Sequence, residues 1–131
     1  MRFAMFMIPA GYNSGEQAPP MPEADDVARM SKYNDELRKA GALLALDGLH
    51  PLSAGARVSY SGGTPTVTDG PYAEAKEVIG GYWMIQVRDK EEAVEWAKRI
   101  PAAEGDTVEI RQVFEMSDFP EDVQAAAGEV A

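Results

Sequence analysis

Tyr82-Trp-Met-Ile-Gln-Val87 is followed, after Arg88, by Asp89-Lys-Glu-Glu-Ala-Val-Glu-Trp-Ala-Lys-Arg-Ile100. The first stretch is apolar at both odd and even positions, so a strand formed here wants burial on both faces. In the second, Asp89 and Glu92 make an Asp-x-x-Glu capping box, and Ala93, Trp96, Ala97 and Ile100 recur at three- and four-residue steps. Pro101 closes that helix. A two-faced strand leading into an amphipathic helix predicts a sheet with helices on one side and something else on the other.

The same unit recurs upstream. Residues 2–8 form an apolar run after Arg2, ended by Pro9, and predict a buried first strand. A turn-rich loop from Gly11 to Pro22 follows. From Glu23 the charges become helical, with Asp25 and Asp26 near the N-terminus and Arg38 and Lys39 in the last turn, as the helix dipole favours. Val27, Met30, Leu37 and Gly41 mark a stripe toward a core, and Gly41 stops the helix. Ala42 to Leu46 predicts a second buried strand. Arg57 to Tyr60 and Pro65 to Thr68 flank Ser61-Gly-Gly-Thr64, a hairpin signal. Val108 to Phe114 supplies the last strand. With the hairpin set aside, the order is β-α-β-β-α-β: an α+β chain, a ferredoxin-like βαββαβ sandwich with an inserted β-hairpin. Residues 1–116 form its domain, and 117–131 an acidic, Ala-rich tail without an evident packing face. The chain supplies no third layer for the second face of the sheet. A second copy is the economical cover, and a homodimer is expected.

Composition narrows the function classes. The 131 residues include 12 Lys and Arg against 22 Asp and Glu, a formal net charge of −10. Such a surface repels phosphate backbones and anionic lipid, so neither nucleic acid nor membrane is expected as a partner. With no cysteine there is no disulfide, thiolate nucleophile, Cys-ligated zinc or iron–sulfur cluster. The apolar start meets Pro9 and Gly11 without a small-x-small cleavage site, and no run approaches the roughly 18 apolar residues of a membrane span. A cytoplasmic protein is the expectation. No Gly-x-Gly-x-x-Gly opens a helix and no Walker-type loop or Gly-x-Ser-x-Gly elbow occurs. No cofactor and no metal is expected.

Thr66-Val-Thr-Asp-Gly-Pro-Tyr-Ala-Glu-Ala-Lys-Glu-Val-Ile-Gly-Gly-Tyr-Trp83 resembles the signature of the DGPF branch of the bacterial YCII-related family, with Tyr72 where Phe is usual. The resemblance extends through Leu43-Leu-Ala-Leu-Asp-Gly-Leu-His-Pro51, Glu92-Ala-Val-Glu-Trp-Ala97 and Val108-Glu-Ile-Arg-Gln-Val-Phe114. It implies a ferredoxin-like protomer pairing sheet to sheet as a dimeric α/β barrel. It also implies a functional link to a sigma factor of the extracytoplasmic-function type, since many members are encoded beside one. In the broader family a His on the first helix and an Asp near the third strand form the proposed site. Aligned on Gly41-Ala-Leu-Leu44, this chain has Met30 at the histidine position, so that pair is not carried over.

Several residues could carry chemistry. Asp69-Gly70-Pro71-Tyr72 is a rigid corner, because Asp caps nearby backbone N–H groups, Gly permits unusual dihedrals and Pro fixes φ. Either the corner only aims the next segment, or Asp69 and Tyr72 meet a small ligand at a barrel mouth. Glu74, Lys76 and Glu77 follow as a solvated charged loop or as acid–base groups, with Asp69 or Glu77 as base and Lys76 facing developing negative charge. Tyr72 or Tyr82 would donate a hydrogen bond. His50, the single histidine, is a loop spectator or a lone general base. Gly80-Gly81 signals a bulge or a close strand approach. Tyr82, Trp83 and Phe114 are core or dimer packing, or a stack for an aromatic ligand. Ser31 and Asn34 interrupt the apolar side of the first helix, bonding across to a strand or offering a polar patch. Two classes of function stand on these residues: a small-molecule binder or cofactor-independent enzyme, and a regulatory module for a protein partner.

Overall fold

The computed structural model describes residues 1–10, 21–70 and 78–128. Strand β1 (Arg2–Ile8) is followed by helix α1 (Ala24–Lys39), β2 (Leu43–Gly48), a 3₁₀ turn (Leu52–Ala54) and the hairpin β3 (Ala56–Ser61) and β4 (Thr64–Asp69). Then come β5 (Gly81–Gln86), α2 (Lys90–Lys98), β6 (Thr107–Gln112), a second 3₁₀ turn (Met116–Asp118) and α3 (Glu121–Gly128). The main sheet is antiparallel in the order β2-β5-β1-β6, with β3 and β4 forming a separate two-stranded sheet. This is the ferredoxin-like α+β arrangement expected from the element order.

Local chemistry explains the boundaries. At the end of α1 the N–H of Ala42 donates to the Leu37 carbonyl at 3.1 Å and that of Gly41 to the Arg38 carbonyl at 3.0 Å. With Gly41 at φ 73°, this is a Schellman termination, in which a left-handed residue carries the last carbonyls' partners. At the start of α2, the Asp89 carboxylate accepts from the Glu92 N–H at 2.9 Å. The Glu92 carboxylate reaches back to the N–H of Arg88 rather than that of Asp89, at 2.7 Å. The Gly62-Gly63 turn has φ of 64° and 81°, both positive as a two-residue hairpin of matching twist requires.

The core lies between α1, α2 and one face of the sheet. Phe3 and Met5 of β1, Trp83 and Ile85 of β5, Tyr33 and Leu37 of α1, and Ala93 of α2 are buried there together with Ile100. Tyr33 packs edge-on against both Trp83 and Trp96, with centroids 6.1 and 6.2 Å away, and its hydroxyl donates to the Trp96 carbonyl at 2.7 Å. Burial pushes that hydroxyl well above the ordinary tyrosine range. Asn34 bonds across to the sheet, accepting from the Trp83 indole at 2.9 Å; Ser31 stays on the outer surface.

Three details differ from the sequence expectation. Val27 is exposed and Tyr33 takes its place in the core stripe. At 3.6 residues per turn Val27 sits about 80° around the helix from Leu37, at the edge of the stripe, whereas Tyr33 lies about 40° away. The second strand is only half-buried: Leu43 and Leu46 pack on the core and the rest of β2 is exposed. It is an edge, it bulges between Leu43 and Ala45, and Leu44 is 47% exposed; bulges are common on edges, where they discourage further pairing. The tail forms α3, although none of its described residues is buried. Just before it, Arg2 clamps Glu115 through two hydrogen bonds of 2.7 and 3.1 Å, holding the Glu115 carboxyl below its usual range.

Candidate functional site

Asp47 of β2 and Tyr82 of β5 are register partners at one end of the sheet. Their neighbours Leu46 and Trp83, also partners, project into the core. By the alternation of a strand, Asp47 and Tyr82 project from the face turned away from α1 and α2. There the Tyr82 hydroxyl donates to Asp47 Oδ2 at 2.6 Å. That bond, with the carboxylate's charge, raises the tyrosine above its ordinary value. Phe6 of β1 pairs with Tyr82, and Met84 with Ala4 and Ala45, so an apolar floor adjoins the polar pair. Phe6, Tyr82 and Met84 are all partly exposed.

Two glycines make this geometry possible. A Cβ on Gly81 would stand 3.0 Å from the Asp47 carbonyl oxygen, and one on Gly80 would stand 2.7 Å from the Pro9 ring. The Gly80 N–H donates to the Met7 carbonyl at 2.8 Å, and its carbonyl accepts from the Leu49 N–H at 2.9 Å. Gly80 thus ties the ends of three strands. The close approach expected of Gly80-Gly81 is what the structure has.

The Asp69 corner divides. Asp69 ends β4 opposite Ala56, exposed, and its carboxylate makes no hydrogen bond among the described residues. Gly70 packs against the 3₁₀ turn, its N–H donating to the Gly55 carbonyl at 2.9 Å. A Cβ on Gly70 would fall 1.7 Å from the Leu52 carbonyl oxygen. The glycine is there because another backbone occupies the space of a side chain. Pro71, Tyr72, Lys76 and Glu77 lie outside the described residues. His50 is exposed in the connection from β2 to the turn that receives Gly70. Chain connectivity therefore runs from Asp47 through His50 to the base of the corner.

The aromatic trio does not form one stack. Trp83 lies in the core, Tyr82 on the opposite face, and Phe114 beyond the end of β6, 70% exposed and stacked on Phe119 at 4.9 Å. Among the described residues, no group of three or more His, Asp or Glu is placed to hold a metal ion. Nor is any described helix long and apolar enough to cross a membrane. Asp47 is the site residue that sequence reasoning passed over. It stands in Asp47-Gly48, which reads as turn chemistry, and only the strand register brings it to Tyr82.

The Tyr82 bond carries a pH prediction. Because the folded value is raised, the bond stabilises fully below the unfolded tyrosine pKa of about 10 and loses its contribution as pH rises through the higher folded value. Ultraviolet titration of the protein against Tyr82→Phe should show the Tyr82 phenolate forming above the ordinary range. In Asp47→Asn that step should move back down; a step that stays in place would assign the shift to something other than Asp47.

Over 69 residues the chain is 35% identical to an uncharacterised protein of Rhizobium meliloti (strain 1021), a match covering 53% of this chain and 56% of that protein. The chain thus matches little more than half the length of that relative. The YCII-related domain model matches residues 1–117. With the βαββαβ core and the strand motifs all inside that span, the chain belongs to the YCII-related domain family.

Proposed function

We propose that this YCII-related protein binds a small molecule over the sheet face turned away from α1 and α2, with a second copy of the chain closing the cleft as in a dimeric α/β barrel. The observation that carries this is the Asp47–Tyr82 bond on that face. The Tyr82 hydroxyl uses its one hydrogen-bond donor on Asp47, so the pair presents acceptors outward: the phenol lone pairs and the second carboxylate oxygen. A ligand for this pair brings N–H or O–H donors. Phe6 and Met84 suit an apolar body beside them, and the net charge of −10 favours a cation. A small amine with an apolar body meets all three demands. Asp69 and Gly70, held at the 3₁₀ turn that follows His50, are assigned to the rim of the cleft.

A thermal-shift panel of aliphatic and aromatic amines, with matched carboxylates as controls, tests the assignment. Amines are expected to raise the melting temperature and carboxylates not. A ligand at a hundred times its Kd adds about 2.7 kcal/mol to stability, a readily measured shift. Tyr82→Phe and Asp47→Asn are each expected to weaken a selected amine at least tenfold while leaving the unliganded protein folded. Carboxylates binding as well as amines, or wild-type affinity in both variants, would sink the assignment.

A further inference from the structure

The hairpin β3–β4 is an arm. All twelve of its strand residues are exposed. At its base the Gly70 N–H continues the ladder to the Gly55 carbonyl, and Gly70 packs on Leu52 of the 3₁₀ turn. Alternation gives it two different faces. Val58 pairs with Val67 and Tyr60 with Pro65, so these four share one face. Arg57, Ser59, Thr66 and Thr68 share the other. The apolar face is open to solvent: Val58 is 50%, Tyr60 82% and Val67 64% exposed. A lone two-stranded sheet is marginal in water, and apolar-in, polar-out alternation is the pattern of a sheet covered on one side.

Charge identifies the cover. Residues 56–69 contain one Arg and one Asp, a net charge of zero, so the whole −10 of the chain resides elsewhere. Two copies of a strongly acidic protein repel over most of their surfaces, and the arm is where they can approach without that cost.

We infer that the apolar face of the β3–β4 arm packs on a second copy of this chain, extending the dimer contact beyond the sheet. This rests on the dimer in the proposed function but concerns a different element. Sedimentation velocity over a concentration series is the experiment, on the full chain and four single variants. Tyr60→Glu and Val67→Glu put a carboxylate on the apolar face; Ser59→Glu and Thr66→Glu put the same charge one residue away on the polar face. The first pair is expected to raise the dimer Kd at least tenfold, and the second less than twofold. A wild type that stays monomeric overturns both the dimer and the arm. A dimeric wild type with Kd unchanged in all four variants overturns the arm and leaves the dimer standing. Equal weakening by all four reports added charge alone and also overturns it. Because the chain has no cysteine, Tyr60→Cys and Thr66→Cys give single reporters should a Glu variant fail to fold. Maleimide labelling at position 60 should slow at least fivefold as concentration rises through Kd, and labelling at 66 should not. Concentration-independent labelling at both positions overturns the inference.

Discussion

Trp83→Ala is expected to lower the unfolding free energy by about 3–5 kcal/mol, the range for removing a buried indole. Trp83 is buried in the strand that joins β1 to the edge, its ring against Tyr33 and its N–H on Asn34. Alanine removes the ring contact, opens a cavity under α1 and strands the Asn34 acceptor. Trp83→Phe separates these terms, because it keeps most of the apolar volume and loses the hydrogen bond. Its cost should be smaller, toward the 1–3 kcal/mol of an unmade buried hydrogen bond. Urea unfolding followed by circular dichroism measures both. Equal loss in the two variants would mean that the indole N–H, not the ring volume, holds the helix to the sheet.

Gly70→Ala should be the most damaging substitution in the corner, costing about 1–3 kcal/mol through overpacking. The added carbon would overlap the Leu52 carbonyl oxygen, which is backbone and cannot rotate aside. Either the 3₁₀ turn or the strand end must move, and the hairpin moves with it. Gly55→Ala is the informative contrast, since Gly55 contributes its carbonyl and has an ordinary extended φ of −110°. Melting temperatures of the two variants decide the matter. A Gly70→Ala protein as stable as wild type would show that the corner has slack and that its glycine serves something other than packing.

The order of strands and helices was readable because each element has its own period or punctuation. Asp89 and Pro101 bracket α2, Gly41 stops α1, and Gly62-Gly63 turns the hairpin. Burial was less readable. Ala42 to Leu46 is as apolar as a central strand, yet β2 is an edge, because hydrophobicity records what a strand tolerates and not how many neighbours it has. Tyr33 was passed over because its hydroxyl marks it as amphipathic, although inside the core it has a carbonyl to bond. The Asp47–Tyr82 pair is a matter of register between strands whose partners are 35 residues apart, and no local pattern encodes that. Asp69 and Gly70 were recognisable as a corner from turn chemistry. The packing of Gly70 on Leu52 requires the fold.

β1 lies inside the sheet, between β5 and β6, although it is made before either of them. Met5 pairs with Trp83 on one side and with Ile110 on the other. At about 5–20 residues per second a ribosome needs roughly 4–16 s to pass from the first of these residues to its nearer partner. During that interval Phe3-Ala-Met-Phe-Met-Ile8 has neither neighbour in the sheet, and both of its edges offer unpaired N–H and carbonyl groups. The central position that makes β1 well protected in the finished molecule therefore makes it the segment longest exposed during synthesis. Chaperone capture or aggregation of incomplete chains would begin there, and truncations ending before Gly81 would leave it without a partner on either side.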